Sequence, residues 1–326
     1  GMKVKDFNEE EIKKMPGVKD AFIIDIAIPE PSWSDEKGFL QLIAIVGEST
    51  WQLMKAKKAI KANWDIVSEL ENSEMHRNTM NEALVSGKVQ ASRTDGDPEG
   101  AFKLAAKVIE RTYSSPFLAH NTMEPMNFFA NVTEDSAELI GPTQTPEALE
   151  GSVAKLLNMP IENITVNMTR MGGGFGRRLY VHFGLEAATI SKKIGAPVKL
   201  VYTREDDMSQ GTYRPAYLSS YKAGLDENNN LIAFSVRGTG LPESSIFLDR
   251  FPAGTVDNYF AADISGNTNI TTGAWRAPRS HFTAGAEQSF LDEVAELAGK
   301  DPIDFRLELF DRVIKKPVGE KNDYEA

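Results

Sequence analysis

RMGGGFGRRLYVHFG, residues 170–184, is the stretch that decides how this chain folds. It is entered from ITVNMTR (164–170), a β-branched run of strand length, and it leads into YVHFGLEAATISKKIGAP (180–197), a helical pattern closed by Gly195 and Pro197. Between them lie Gly172, Gly173, Gly174, Phe175 and Gly176, a run costly in chain entropy. Strand, glycine run and helix in that order present backbone N–H groups to an anion at a helix entrance. Two phosphate-binding patterns fail here. No Lys-Ser or Lys-Thr follows the glycines as a P-loop needs, and a dinucleotide fingerprint begun at Gly172 meets Arg177 where a small residue belongs. Two readings remain: a turn bare only for tight strand–helix packing, or backbone lying against a flat anionic ligand, with Arg177 and Arg178 available for phosphate.

Four other segments read as loops able to converge on that run. GPTQTP (141–146) ends a strand and opens a helix, so Gln144 is either a polar loop residue or an amide free to donate. GAWRAPRSHF (273–282) sets Arg276 in apolar company, as a cation–π packed structural arginine or a ligand contact. AHNTMEPMN (119–127) gives Glu124 an apolar setting that suggests a structurally paired carboxylate, and TYRPAY (212–217) puts Arg214 in a turn, a solvated position by default.

Composition narrows the function. The 326 residues, 41% hydrophobic and 25% charged, are long enough for two separate cores. A net charge of −11 argues against general nucleic-acid binding, although Arg170, Arg177 and Arg178 would make a local basic patch. Without cysteine the chain makes no disulfide, thiolate metal site or iron–sulfur ligation of its own. His76, His120, His182 and His281 lack metal-ligand spacing, and no apolar run approaches the roughly 20 residues of a membrane span. Gly1 before Met2 reads as a cleavage scar, and the polar end DRVIKKPVGEKNDYEA reads as a cut, so the expectation is a piece of a longer chain whose signal region lies elsewhere.

The organisation is α+β. DAFIIDIAI (20–28) and FLQLIAIVG (39–47) read as strands separated by PEPSW. STWQLMKAKKAIKANWD (49–65) reads as one helix, with a Ser49–Gln52 capping box and Leu53, Ala56, Ile60 and Trp64 on one face. Residues 71–100, polar and ending in TDGDPEG, read as a linker. AFKLAAKVIERTY (101–113) reads as helix into strand, and MNFFANVTEDSAELIG (126–141) as a hairpin turning at Glu134-Asp135. TPEALEGSVAKLLNMP (145–160) reads as a helix with Thr145 at the N-cap and Pro146 at its first position. VKLVYTR (198–204) reads as a strand and 217–238 as a hairpin around Asn228–Asn230. Two further helices follow, one stopped by Gly299 and one opened by Asp301-Pro302.

Taken as an ordered series, AHNTMEPMN, GPTQTPEAL, MGGGFGRR, TREDDM…TYRPAY and GAWRAPRSHF…FLDEVAELAGKDPIDFRLELF resemble the large, molybdopterin-binding subunit of the xanthine dehydrogenase and aldehyde oxidase family. Within it, the double arginine after the glycines is most similar to the isoquinoline 1-oxidoreductase β-subunit branch. The resemblance covers essentially the whole chain. It implies a small α/β hammerhead-like domain over residues 1–90 and the first part of the mixed α/β molybdopterin-binding domain over 91–326. It further implies hydroxylation of an aldehyde or N-heteroaromatic with oxygen from water, on molybdenum held by molybdopterin in its cytosine dinucleotide form. Electrons would leave to a small iron–sulfur (2Fe–2S) subunit and, in some systems, a cytochrome-type acceptor. By resemblance, Gln144, Gly172, Gly173, Gly174, Phe175, Gly176, Arg177, Arg178 and Arg276 line the cofactor, and Arg214 matches a position that faces substrate in some members. Leu179 stands where purine-oxidising members carry glutamate, which favours a more apolar substrate. The family's general-base glutamate lies in a Gly-Val-Gly-Glu segment far downstream. PVGE (317–320) is out of place for it, so Glu320 is not assigned, no catalytic residue is expected in this chain, and the chain alone is expected to be inactive. The compartment, periplasm or cytoplasm, is not encoded in these residues. The rival reading is a non-catalytic binding or assembly module whose glycine loop holds another phosphate ligand.

Overall fold

The computed structural model describes residues 2–27, 41–85, 91–316 and 318–319. In chain order the first elements are β1 (Met2–Phe7), α1 (Glu9–Lys13), β2 (Val18–Asp25), β3 (Gln41–Gly47), α2 (Thr50–Lys58), β4 (Ala62–Ile66), α3 (Ser73–Val85) and β5 (Arg93–Asp95). Then come α4 (Pro98–Leu104), β6 (Lys107–Ser115), β7 (Asn127–Val132), β8 (Ala137–Gly141), α5 (Pro146–Leu157), β9 (Ile164–Met168), α6 (His182–Ile194), β10 (Val198–Val201) and α7 (Arg204–Ser209). The last are β11 (Ala216–Leu225), β12 (Leu231–Leu241), β13 (Asn258–Ser265), α8 (Ser280–Ala298) and α9 (Pro302–Lys315). Helix and strand contents of 35% and 30%, in sheets of mixed orientation, give the expected α+β class.

Two compact units result, each assembled from separate stretches: the described residues within 1–70, 119–214 and 269–276 form one, and those within 71–118, 215–268 and 277–319 the other. In the first, β10-β7-β8-β9 make a four-stranded sheet in which only β8 and β9 run parallel, joined by the α5 crossover. β7 alternates inward and outward residues, so Phe128, Ala130 and Val132 meet Leu149 and Val153 of α5 and Phe183, Leu185 and Ile190 of α6 in one core. α6 is buried along most of its length, which fixes the glycine run that feeds it. The second unit is a five-stranded sheet, β5-β13-β12-β11-β6, with α8 laid on an aromatic core of Tyr221, Phe234, Tyr259 and Phe290.

Most sequence-derived elements form, and three differ. α2 stops at Lys58, because Lys61 donates its backbone N–H to the Asn8 side chain and the chain then pairs with β1; Trp64 lies in β4 and is 48% exposed. The Ser49–Gln52 capping box does not form: Ser49 makes no side-chain cap bond, and the Gln52 amide lies against Gly17, where any Cβ would collide with it. The stretch 71–100 is not a bare linker, since its described residues include α3, β5 and the start of α4. Residues 29–33 and Glu320 lie outside the described residues.

Candidate functional site

The glycine run follows β9 in the first unit and ends in a short 3-10 turn, Arg177–Leu179, before α6. Its own neighbours explain why side chains are absent. A Cβ on Gly172 would lie 2.6 Å from the Glu124 Cβ, one on Gly174 2.5 Å from the Gln144 Oε1, and one on Gly176 2.1 Å from the Ala274 carbonyl oxygen. Gly176 also holds φ +103°, and Phe175, at φ +55°, is a left-handed non-glycine residue with its ring 46% exposed. Segments 119–127, 141–146 and 273–276 therefore all close on this loop, as the sequence reading expected of them.

The carbonyls of the loop are taken from the protein side. Glu124 N–H donates to Gly172 O at 3.1 Å, Arg177 N–H to Gly174 O at 2.9 Å and Arg276 N–H to Phe175 O at 2.8 Å, while Arg178 Nε donates to Gly173 O at 2.8 Å. In a planar trans peptide the N–H points opposite to its carbonyl, so these four bonds turn the next N–H groups away from their donors. Gly176 N–H donates to Gln144 Oε1 at 3.2 Å; the N–H groups of Gly173, Gly174 and Phe175 find no acceptor among the described residues. Because Gln144 spends its amide oxygen on Gly176, its exposed NH2 group remains a donor beside them.

The expected basic patch does not form at the surface. Arg170 is exposed, but Arg177 and Arg178 are 2% and 0% exposed. Arg177 donates to Gln210 O at 3.1 Å and to His182 Nε2 at 3.0 Å; a guanidinium only donates, so that ring nitrogen accepts. Arg178 donates to Gly173 O, to Glu124 O and to Glu124 Oε2, the last two at 3.0 Å. Glu124 is thus the paired carboxylate its setting suggested. Burial opposes its ionisation, yet Gly172 N–H, the Asn127 amide and Arg178 together hold its carboxyl below the usual range. Burial draws the Arg178 pKa below its ordinary value, with the Glu124 charge opposing.

Arg276 is exposed, its backbone pinned to Phe175 while its guanidinium bonds to no described residue. Arg214 is half-buried, with its guanidinium carbon 5.5 Å from the Trp275 ring centroid. Leu179 is half-buried and its carbonyl accepts from Thr145 Oγ1, so Thr145 sits at the α5 N-cap but spends its hydroxyl across the fold.

Supporting residues that the sequence did not single out complete the site. His120 Nε2 donates to Ala274 O at 2.9 Å and Tyr180 OH accepts from Ala274 N–H at 2.7 Å, fixing the 273–276 loop from both sides. Arg204, in α7, reaches Asn121 Oδ1, Met123 O and the buried Asp207, tying the 119–127 loop to α7. The clue in sequence was their position within the same motifs as the assigned residues. No group of three or more His, Asp or Glu suited to a metal ion occurs among the described residues, and among them no helix is long and apolar enough to cross a membrane.

Comparison with known proteins gives the geometry its context. The family of the molybdopterin cofactor-binding domain matches residues 76–310. A membrane-bound aldehyde dehydrogenase (pyrroloquinoline-quinone) of Gluconacetobacter polyoxogenes is 27% identical over 95% of this chain and 42% of its own length. The aldehyde oxidoreductase molybdenum-binding subunit PaoC of Escherichia coli is 29% identical over 65% of this chain and 30% of its own. Isoquinoline 1-oxidoreductase subunit beta of Brevundimonas diminuta is 24% identical over 81% of this chain and 37% of its own. Among solved structures, the aldehyde oxidoreductase of Desulfovibrio gigas shares the fold at a TM-score of 0.70 and 15% identity, over 98% of this chain and 39% of that one. This chain therefore spans less than half the length of each of these proteins.

Proposed function

Since the chain belongs to the molybdopterin cofactor-binding domain family, we propose that its glycine loop, Gln144 and Arg276 form part of the wall of a molybdopterin pocket in a molybdenum hydroxylase large subunit. One observation carries this reading: three consecutive N–H groups, Gly173 to Phe175, stand unspent beside the Gln144 NH2, while every carbonyl from Gly172 to Phe175 is held from behind. Fixed donors of that kind suit the oxygens of a metal centre and the phosphate of its pterin. The donor set fits the group, because a pterin dithiolene brings its own ligands to the metal and asks the protein for hydrogen bonds.

Gly173, Gly174, Phe175 and Gln144 would hold the cofactor by donation, and Arg276 supplies an outward guanidinium for an anionic group. Gly172, Gly176, Arg177 and Arg178 serve from behind, with their donors or Cβ space committed to Glu124, Gln144, Ala274, His182 and Gly173. Phe175, with its exposed ring, and the Arg214–Trp275 stack are the candidates to border substrate. When bound, molybdopterin would supply the redox metal for oxidation of a carbon centre. The parent protein on this reading oxidises an aldehyde or N-heteroaromatic with oxygen from water. Its electrons pass to an iron–sulfur partner subunit, its pterin is the cytosine dinucleotide, and residues 1–90 correspond to the hammerhead-like domain. The subunit names of two relatives support an assembly of several chains.

One relative is named for a quinone and another for molybdenum, so the metal is the discriminating quantity. Elemental mass spectrometry of the full-length protein, purified from its host with its partners, is expected to give about one molybdenum per chain. A value near zero with the partners present would sink the reading and favour a binding or assembly module.

A further inference from the structure

Arg178 is a point where three segments of the candidate site are joined. Its Nε donates to Gly173 O at 2.8 Å, its Nη1 to Pro142 O at 3.4 Å, and its Nη2 to Glu124 O and Oε2, both at 3.0 Å. Its own carbonyl accepts Gln144 N–H at 2.9 Å and Thr143 Oγ1 at 3.3 Å. The same Glu124 Oε2 accepts Gly172 N–H at 2.7 Å, and Asn127 Nδ2 donates to Glu124 Oε1 at 3.0 Å. Side chain and main chain of one residue thus reach segments 119–127, 141–146 and 170–176.

Resting on the reading of the glycine loop given above, we infer that Arg178, charge-balanced by Glu124, is a positioning residue that sets the register between that loop and Gln144 without touching the ligand. The peptide plane gives the mechanism. Arg178 Nε fixes the Gly173 carbonyl, and the Gly174 N–H belongs to the same rigid unit, so its direction is fixed as well. The Arg178 carbonyl fixes the Gln144 backbone, and from there the Gln144 amide returns to Gly176 N–H. A planar five-donor fork makes these bonds together; the point charge of a lysine does not. With its side chain sealed at 0% exposure, Arg178 has no route to a phosphate in this arrangement.

The test uses the full-length protein with its partners, in cofactor-loaded and cofactor-free preparations, and the variants Arg178→Lys and Glu124→Gln. Amide exchange is followed by mass spectrometry over 141–149, 170–180, 182–194 and 216–241, with molybdenum per chain alongside. In both preparations Arg178→Lys is expected to speed exchange over 141–149 and 170–180 by about tenfold, with the other two segments within about twofold. Glu124→Gln, which keeps an oxygen for Gly172 N–H, is expected to do so more weakly and mainly over 170–180. Molybdenum per chain is expected to fall with the loss of protection. Molybdenum lost with exchange unchanged would mean that Arg178 acts on the ligand itself and would overturn the inference. So would unchanged values of both, or acceleration spread over 182–194 in both variants, which would mark a general core role. If the unaltered protein carries no molybdenum, the functional reading fails, while exchange in the cofactor-free protein still decides whether Arg178 positions the loop.

Discussion

Gly174 and Gly176 are two positions apart and exclude a side chain for different reasons, which makes them separable by the same substitution. At Gly176 an added Cβ meets a backbone carbonyl, that of Ala274, and the residue sits at φ +103°. Gly176→Ala is expected to cost about 1–3 kcal/mol for the conformation alone, and more for the carbonyl it displaces, read as a lowered midpoint of thermal unfolding. At Gly174 the nearest obstacle is the far end of the exposed Gln144 side chain. Gly174→Ala is therefore expected to leave stability within about 1 kcal/mol, the worth of one hydrogen bond, yet to lower molybdenum per chain by displacing the Gln144 amide. Equal destabilisation by both, with cofactor content untouched, would show that the loop is bare for packing alone. Arg177 and Arg178 teach the converse lesson. In sequence they look like phosphate ligands, because residue type reports what a guanidinium is able to do and not which way it faces; His182, Gln210 and Glu124, their partners, are not marked by the arginines themselves.

Helices and strands were legible wherever one face is buried against a neighbour close in sequence. α5 carries Leu149, Val153 and Leu157 at helical spacing, the β11–β12 hairpin turns around Asn229, and Gly195 and Gly299 stop their helices in the left-handed conformation. The errors share a cause in partners far along the chain. α3 buries only Met80, so its sequence lacks a helical apolar stripe and reads as polar linker. β4 is a strand because β1, some sixty residues earlier, pairs with it; by local propensity KAIKANWD continues a helix. The loops of the candidate site were visible as loops, but their meeting at Gly172–Gly176 became readable only through the whole ordered set of motifs. Two helix glycines offer a check on local energetics. Gly151 in α5 and Gly285 in α8 have nothing within 4 Å of an added Cβ. Gly151→Ala and Gly285→Ala are each expected to stabilise by roughly 0.5–1 kcal/mol, by helix propensity and a less flexible unfolded chain. A lowered unfolding midpoint in either would mean that the glycine answers to a contact outside its own helix.

Each unit of the molecule contains a carboxylate whose ionisation its surroundings control, and the two are shifted in opposite senses. In the second unit Glu287, 5% exposed on α8, is pushed up to about 7 by burial, against the opposing pull of Arg250, the Gln288 amide and Arg306. In the first, Glu124 is held down despite burial by Gly172 N–H, Asn127 and Arg178. Glu287 binds its proton more tightly folded than unfolded, so its stabilisation is complete below the unfolded value of about 4.5 and is lost as pH rises through about 7. Glu124 releases its proton more readily folded, so its stabilisation is present above the unfolded carboxylate value and is lost as pH falls through its depressed one. Arg250, 3.6 Å from Glu287, moderates but does not cancel the effect of burial, since the carboxyl remains raised. Urea unfolding of the full-length protein and of Glu287→Gln, compared at pH 5 and pH 8, is expected to show the unaltered protein losing stability relative to the variant as pH rises. The difference is bounded at on the order of 3 kcal/mol by the size of the shift. Glu124→Gln compared in the same way between pH 6 and pH 3 is expected to show the reverse slope, with the unaltered protein losing its advantage toward acid. Parallel titration of the unaltered protein and Glu287→Gln would mean that water reaches Glu287 and that the α8 core does not hold a protonated carboxyl at neutral pH.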